Sequence, residues 1–160
     1  GLAGELGHMV VSPDGPPCRC GGQGRLEQYA GQDALLRLAG GDSIPALIAA
    51  ATAGETAALD ACEQAGRALG VALTSAVNLL DPDTIVLGGI YAPLFPWVAD
   101  TVAETLAVRL GQMRANIPEV AVSKVGSDAA VLGAAGQVIR EIIEDPAALA
   151  VTSPTDRVPR

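Results

Sequence analysis

The first thirty residues of this 160-residue chain contain the side chains best suited to chemistry. Glu5 lies three residues before the only histidine, His8, and a second carboxylate, Glu27, closes the run. Between them, Cys18 and Cys20 form a Cys-x-Cys pair among glycines. Two carboxylates and an imidazole can hold the hydroxyl groups of a sugar, because they accept and donate hydrogen bonds. An imidazole with two thiols is also the beginning of a zinc site.

The zinc interpretation has an obstacle at position 25. A structural zinc site takes four ligands, and the spacing invites a third cysteine five residues after Cys20. Arginine occupies that position, and a guanidinium stays protonated and cannot ligate a metal. Cys62 is a poor substitute because it falls in the apolar stripe of a predicted helix. The alternatives are therefore an incomplete zinc site at His8, Cys18 and Cys20, or two free thiols in a glycine loop.

The rest of the chain predicts an α/β domain with parallel strands. A short strand is predicted at residues 8–12, then a loop at 18–25 that is too rich in glycine for regular structure. Apolar periodicity predicts helices over residues 26–38, 55–80, 94–113 and 128–143. Either Asp42 or Ser43 can cap a further short helix that has Pro45 in its opening turn. Residues 84–87 are an apolar run typical of a strand buried on both faces, and residues 120–125 predict a second parallel strand. Residues 151–160 are predicted to be disordered.

Composition excludes several classes of function for this segment. The net charge is −8 and the pI is near 4.4, so the segment lacks the clustered basic residues that bind a nucleic acid backbone. No apolar stretch reaches the length needed to cross a bilayer, so no membrane partner is expected. Three cysteines, two of them separated by one residue, favour a reducing cytoplasm over a disulfide framework. The chain also carries no Walker-type loop, nucleophile elbow or His-Glu-x-x-His motif.

Gly88 and Gly89 follow the predicted buried strand and precede a helix. Glycines at this position allow a phosphate or nucleotide to approach the backbone, and they also occur in an ordinary tight strand-to-helix turn. Both interpretations remain open from the residues alone.

Longer motifs resemble the ROK family of repressors, open reading frames and sugar kinases. They are G-x-A-G-E-L-G-H at residues 1–8, P-D-G at 13–15, C-R-C-G-G-Q-G at 18–24 with L-E at 26–27, N-L-L-D-P-D-T-I-V-L-G-G at 78–89 and D-A-A-V-L-G-A-A at 128–135. The resemblance implies the C-terminal half of an actin-like, ribonuclease-H-like ATPase fold. Residues 1–150 would form that lobe of the sugar-binding domain, and residues 151–160 the tail.

The resemblance also implies roles for single residues. Glu5, His8 and Glu27 match the family's sugar-binding positions, and Gly88 and Gly89 match the glycines near the adenine nucleotide of its kinases. The family's zinc is held by the matching histidine and three cysteines; His8, Cys18 and Cys20 match, and Arg25 departs from the pattern.

Two functions follow from the resemblance. The first is the effector-binding lobe of a sugar-responsive transcriptional regulator, with a monosaccharide or sugar phosphate as effector and with DNA bound only through an upstream domain. The second is the C-terminal lobe of an ATP-dependent sugar kinase related to glucokinases, with ATP as cofactor. The family's D-x-G-x-T motif and its Asn-Asp pair with the catalytic base are not in these residues, so this chain by itself is expected not to be an enzyme. A homo-oligomer is also expected, because the chain can pair with itself to cover the surfaces where the other lobe would pack.

Overall fold

The computed structural model describes residues 4–114, 116–125 and 129–146. The predicted disordered tail at 151–160 lies outside them. Within the described residues the helices are α1 (Glu27–Ala30), α2 (Gln32–Ala39), α3 (Ile44–Thr52), α4 (Thr56–Leu80), α5 (Tyr91–Leu110) and α6 (Ala129–Glu144). The strands are β1 (Thr84–Leu87) and β2 (Glu119–Val122), and 3-10 turns lie at Leu6–His8 and Gly111–Met113.

The core forms where α5 packs along α4. The buried face of α4 is mostly small, whereas α5 buries Leu94, Val98, Val102, Leu106 and Leu110 against it. Small residues allow the two helix axes to come close. A Cβ at Gly70 would lie 2.5 Å from Thr105 Cβ, so only glycine fits there. The long helix predicted at 55–80 is confirmed, because its three-and-four spacing of apolar residues matches one buried helix face.

The two strands form a parallel pair, as predicted, with Thr84 opposite Glu119 and Leu87 opposite Val122. The prediction that residues 84–87 are buried on both faces is wrong. Ile85 and Leu87 are buried, but Val86 is 61% exposed. The reason is that α5 packs against one face of the pair, while no helix among the described residues covers the other.

The single helix predicted over residues 26–38 is two helices in the structure. Gly31 interrupts them in an extended conformation (φ −72°, ψ 157°), ending α1 and beginning α2. Gly40 then ends α2 in the left-handed region (φ 68°), as its position predicted. The Ser43 side chain accepts a hydrogen bond from the Ala46 N–H at 3.3 Å and caps α3.

The predicted strand at residues 8–12 is also wrong. Leu6–His8 is a 3-10 turn, and only Val10 forms a β-bridge, opposite Arg25. The pairing stays this short because turns begin on both sides of it, with Pro13 just beyond Ser12 and a left-handed Gly24 (φ 63°) just before Arg25.

Helix α6 lies apart from the core. Every side chain described for residues 131–144 is exposed, including the apolar side chains of its amphipathic stripe: Val131, Leu132, Val138, Ile139, Ile142 and Ile143. Among the described residues, no single helix has both the length and the apolar composition needed to cross a bilayer. Helices α2 and α3 have this length and composition only when they are taken together, and a bend of 47° separates the two helices.

Candidate functional site

A short antiparallel pairing brings the segment that carries Glu5 and His8 beside the start of the helix that carries Glu27. The Leu26 N–H donates to the Met9 carbonyl at 2.8 Å, Val10 faces Arg25, and the Val11 N–H donates to the Gly24 carbonyl at 2.8 Å. Continuing this register places His8 beside Glu27. A Cβ on Gly7 would in fact lie 3.9 Å from Glu27 Cβ. The turn at residues 5–8, hereafter the 5–8 turn, therefore packs against the first turn of α1.

Residues 16–24, hereafter the cysteine loop, fold back on themselves between the two paired segments. The Gly24 N–H donates to the Pro16 carbonyl at 2.9 Å, and the Cys18 N–H donates to the Gly22 carbonyl at 2.8 Å. Gly24 must be glycine, since its φ is positive and a Cβ there would lie 1.5 Å from the Ser12 carbonyl oxygen. Glycine thus lets the loop close tightly enough to bring its cysteines next to His8.

The predicted metal-ligating residues do meet. The ligand atoms of His8, Cys18 and Cys20 all lie within 4.8 Å of one another, and the two sulfur atoms are 3.2 Å apart. Cys18 is buried and Cys20 is exposed. A hydrogen bond from the Gly22 backbone lowers the pKa of the Cys20 thiol below its ordinary value, and the neighbouring Cys18 thiol and the Arg25 guanidinium lower it further.

Arg25 lies in the same cluster. Its Nη1 donates to the His8 carbonyl oxygen at 2.9 Å. Its guanidinium also lies against Gly22, where an added Cβ would be 2.1 Å from Arg25 Nε. The side chain therefore spans from the cysteine loop to the 5–8 turn.

These residues do not complete a structural zinc site. Three donors converge, and His8 Nδ1 is buried without a hydrogen-bond partner among the described residues, as a ligand atom would be. However, the described residues offer no fourth donor in that cluster, and Cys62 is fully buried within α4. The nearby guanidinium also carries a positive charge that opposes a cation. The three donors are thus those of a zinc site in which one cysteine ligand is replaced by the positively charged Arg25.

Glu27 also lines a shallow groove that the sequence did not predict. The groove has a volume of about 390 Å³ and is bordered by the cysteine loop, α1 and α2. Its charged lining residues besides Glu27 are Arg19, Asp33 and Arg37. Arg19 and Asp33 form an ion pair at 3.6 Å, but both side chains are largely exposed, so the pair contributes little stability. The only sequence signal for this groove was the spacing of Asp33 and Arg37, which places both on one face of a helix. Glu5 and His8 do not line it.

Gly88 and Gly89 lie at the carboxyl end of β1, where α/β proteins commonly bind ligands. Gly89 has a positive φ of 58°, and the Ser123 N–H donates to the Leu87 carbonyl at 2.8 Å beside them. The assignment of these glycines to a nucleotide contact stays a prediction.

Tyr91 links this edge to the candidate sugar site. Its hydroxyl donates to the backbone carbonyl of Ala30, at the end of the short helix that carries Glu27. Burial of the phenol, together with the nearby Cys62 thiol, raises the pKa of Tyr91 well above its ordinary value. The hydroxyl is therefore held neutral as a hydrogen-bond donor.

This raised pKa predicts a loss of stability at alkaline pH. Above about pH 10 the unfolded chain releases the tyrosine proton while the folded chain keeps it, so the free energy of unfolding falls as pH rises. The slope from this one group is at most about 1.4 kcal/mol per pH unit. Urea unfolding between about pH 9 and pH 11 should show a shallower decline for Tyr91→Phe than for the natural chain. Cys62, whose pKa burial also raises, contributes to the decline that remains. Equal declines in the two proteins would contradict the assigned role of Tyr91.

The comparisons with known proteins agree with the motifs. The family model of the ROK family matches residues 1–141. A xylose repressor from Bacillus spizizenii is 30% identical over 148 residues, covering 90% of this chain and 38% of the repressor. A kanosamine kinase from Amycolatopsis mediterranei is 35% identical over 141 residues, covering 84% of this chain and 46% of the kinase.

A solved structure shows the same fold. The ROK family glucokinase from Streptomyces griseus, solved in complex with glucose and AMPPNP, matches with a TM-score of 0.76 and 29% identity. The match covers 86% of this chain and 51% of that one. The chain thus spans about half the length, or less, of the proteins it matches. The predicted fold class, α/β with parallel strands as in actin-like sugar kinases, is confirmed. Motifs, fold and family model together show that the chain belongs to the ROK family.

Proposed function

We propose that this chain is the effector-binding part of a ROK transcriptional regulator that responds to a monosaccharide or a sugar phosphate. The observation that carries the proposal is the pairing of residues 9–11 with residues 24–26, which packs the 5–8 turn against the start of α1. Because of it, the predicted sugar-binding residues Glu5, His8 and Glu27 belong to adjoining segments.

The chemistry required of these residues is binding and orientation. The carboxylates of Glu5 and Glu27 are both exposed, so a sugar can reach them and donate its hydroxyl protons to them. The His8 ring is half-buried against the cysteine loop, which limits the orientations that it can adopt. Bound sugar would favour one of two conformations of the whole protein and so reposition a DNA-binding domain upstream.

Several features favour a regulator. Arg25 stands where the family pattern has a third cysteine, a departure that suits a site that only binds sugar better than a catalytic one. Ile90 follows Gly88 and Gly89 where the family's kinases frequently have a third glycine, and the I-I-E-D-P-A-A-L-A segment at 142–150 resembles the tails of its regulators. The similarity to a xylose repressor over 90% of this chain supports the same conclusion.

The alternative function is the C-terminal lobe of an ATP-dependent sugar kinase acting on a hexose or an amino sugar. The position of Gly88 and Gly89 at the carboxyl end of β1 favours it, as does the 35% identity with a kanosamine kinase. In this case ATP is the cofactor and the catalytic base belongs to the part of the protein outside this chain.

Two assays on the intact protein separate these functions. Calorimetric titration with xylose, glucose and their phosphates should show saturable binding of at least one sugar without ATP. Release of the protein from its own promoter DNA by that sugar, with no ADP formed when ATP is added, would establish the regulator. Sugar-dependent ADP formation would instead establish the kinase, and absence of any sugar binding would contradict both. Either protein is expected to work in the cytoplasm.

We also propose that the chain associates with itself through α6. The helix presents a continuous apolar stripe to solvent, and the outer face of β1, including Val86, is uncovered. An apolar helix stripe exposed in this way is typical of an interface.

Placing two charges in the α6 stripe should weaken this association. Val138→Asp with Ile142→Asp should raise the dissociation constant of the chain by roughly tenfold or more, because an unpaired carboxylate is costly to bury. Sedimentation equilibrium measures the change. Gln137→Ala, on the polar face of the same helix, is the matched control and should leave association unchanged. A natural chain that is monomeric at every concentration tested would contradict the proposal.

A further inference from the structure

We infer that Arg25 takes over the cross-linking role of a metal ion, so that this site is held together without zinc. The inference rests on the proposed function, since this site is the one proposed to bind sugar. Arg25 is then a positioning residue, and the cysteine loop keeps its conformation without a metal.

The contacts of Arg25 are those of a cross-link. Its backbone lies opposite Val10 in the short antiparallel pairing, and its side chain turns back to donate to the His8 carbonyl at 2.9 Å. That carbonyl belongs to the last residue of the 5–8 turn. The same guanidinium lies against Gly22 of the cysteine loop. One side chain thus contacts the segment carrying the predicted sugar-binding histidine and the segment carrying both cysteines.

Gly22 is shaped for this contact. A Cβ at position 22 would lie 2.1 Å from Arg25 Nε, 2.6 Å from Nη2 and 2.7 Å from Cζ. Each of these distances is far below van der Waals contact, so any other residue would displace the guanidinium. The backbone of Gly22 meanwhile accepts a hydrogen bond from the Cys18 N–H at 2.8 Å. The guanidinium therefore lies against the same peptide that fixes the conformation of the cysteine loop.

Their charges make the Arg25 guanidinium and a zinc ion alternative ways of holding the cysteine loop. Zinc with two thiolates and a neutral imidazole is electrically neutral, so an adjacent guanidinium would gain no compensation for its own charge. The donor set lacks a fourth ligand, and the residue in that sequence position supplies a positive charge and one hydrogen bond to the His8 carbonyl instead.

The first test compares the intact natural protein before and after exhaustive treatment with a zinc chelator. We expect less than stoichiometric zinc by elemental analysis. We also expect unchanged hydrogen exchange of the Cys18, Gly21 and Gly24 amides, which lie in the cysteine loop. Stoichiometric zinc, or exchange that accelerates when zinc is removed, would overturn the inference. Because exchange is measured without sugar, this result stands even if no sugar binds and the proposed function fails.

The second test moves the guanidinium. Gly22→Ala displaces the Arg25 guanidinium but keeps its charge, whereas Arg25→Ala removes the guanidinium. Both substitutions should accelerate hydrogen exchange of the loop amides roughly tenfold or more, as expected for loss of a hydrogen bond from a charged donor. Where a sugar ligand is in hand, both should weaken its binding as well. Arg19→Ala, in the same loop with an exposed side chain, is the matched control and should leave exchange of the loop amides unchanged. Unchanged loop exchange in both Gly22→Ala and Arg25→Ala would overturn the inference.

The third test restores the metal. Arg25→Cys should bind one zinc per chain, slow loop exchange back to the natural rate in the presence of zinc, and lose that protection on chelation. This variant also decides the matter if Arg25→Ala does not fold. If Arg25→Cys gains no zinc-dependent protection of the loop amides, the guanidinium does not stand in for a zinc ion and the inference is overturned.

Discussion

Binding of the sugar effector is expected to weaken roughly 10- to 150-fold when Glu27 is replaced by alanine. In the proposed site the substitution removes a charge-assisted hydrogen bond that the carboxylate accepts from a sugar hydroxyl, a loss of about 1.5–3 kcal/mol. Glu5→Ala is expected to have an effect of similar size, for the same reason. Isothermal titration calorimetry on the intact protein measures both. Unchanged affinity in both variants would show that these carboxylates do not contact the sugar.

The structure supplies a sharp control for this prediction. Asp33 lines the same groove as Glu27 but is an exposed carboxylate paired with Arg19. Asp33→Ala should change sugar affinity by no more than about twofold, since an exposed ion pair contributes little. If Asp33→Ala weakens binding as much as Glu27→Ala, the sugar lies in the groove bordered by α2 and not beside the 5–8 turn. Glu27→Gln, which keeps the shape of the side chain, separates loss of charge from loss of packing.

The largest effect on stability is expected at the contact of α4 with α5. Leu106 is fully buried there, and Leu106→Ala should lower the free energy of unfolding by about 2–5 kcal/mol through lost burial and the cavity left behind. Urea unfolding followed by circular dichroism measures the loss as a shift of the midpoint.

Val108 is the matched control on the same helix. It lies two residues further along α5, and its side chain is 83% exposed. Val108→Ala should change the free energy of unfolding by less than about 0.5 kcal/mol. Similar losses for the two substitutions would mean that α5 does not bury this face against α4.

Long helices were predictable because their signal is local and repeated. Apolar residues recur every three or four positions along α4 for 25 residues, and each repeat adds to the same conclusion. Gly40 and Ser43 were also informative, since a left-handed helix end and a helix cap depend on a single residue type. The short elements were predicted less well. The two helices on either side of Gly31 both pack against α4, and a local pattern does not contain those contacts.

Burial of the sheet could not be derived from its strands. An apolar run such as residues 84–87 is compatible with burial on one face or on both, because the run itself does not specify what covers it. The exposure of Val86 and of the whole α6 stripe depends on which elements are present and where they pack. This is a property of the assembled chain.

For the candidate site, the residue types in the first thirty positions determined which chemistry was available: carboxylates, an imidazole and two thiols, with a cation where a third thiol would complete a zinc site. They did so because ligand and hydrogen-bonding capacity belong to single side chains. Only the tertiary structure decided that the 5–8 turn lies beside Glu27 and that Arg25 reaches the His8 carbonyl across Gly22. These contacts join residues that lie about twenty positions apart in the chain, and the hydrogen bonds between residues 9–11 and 24–26 bring them together.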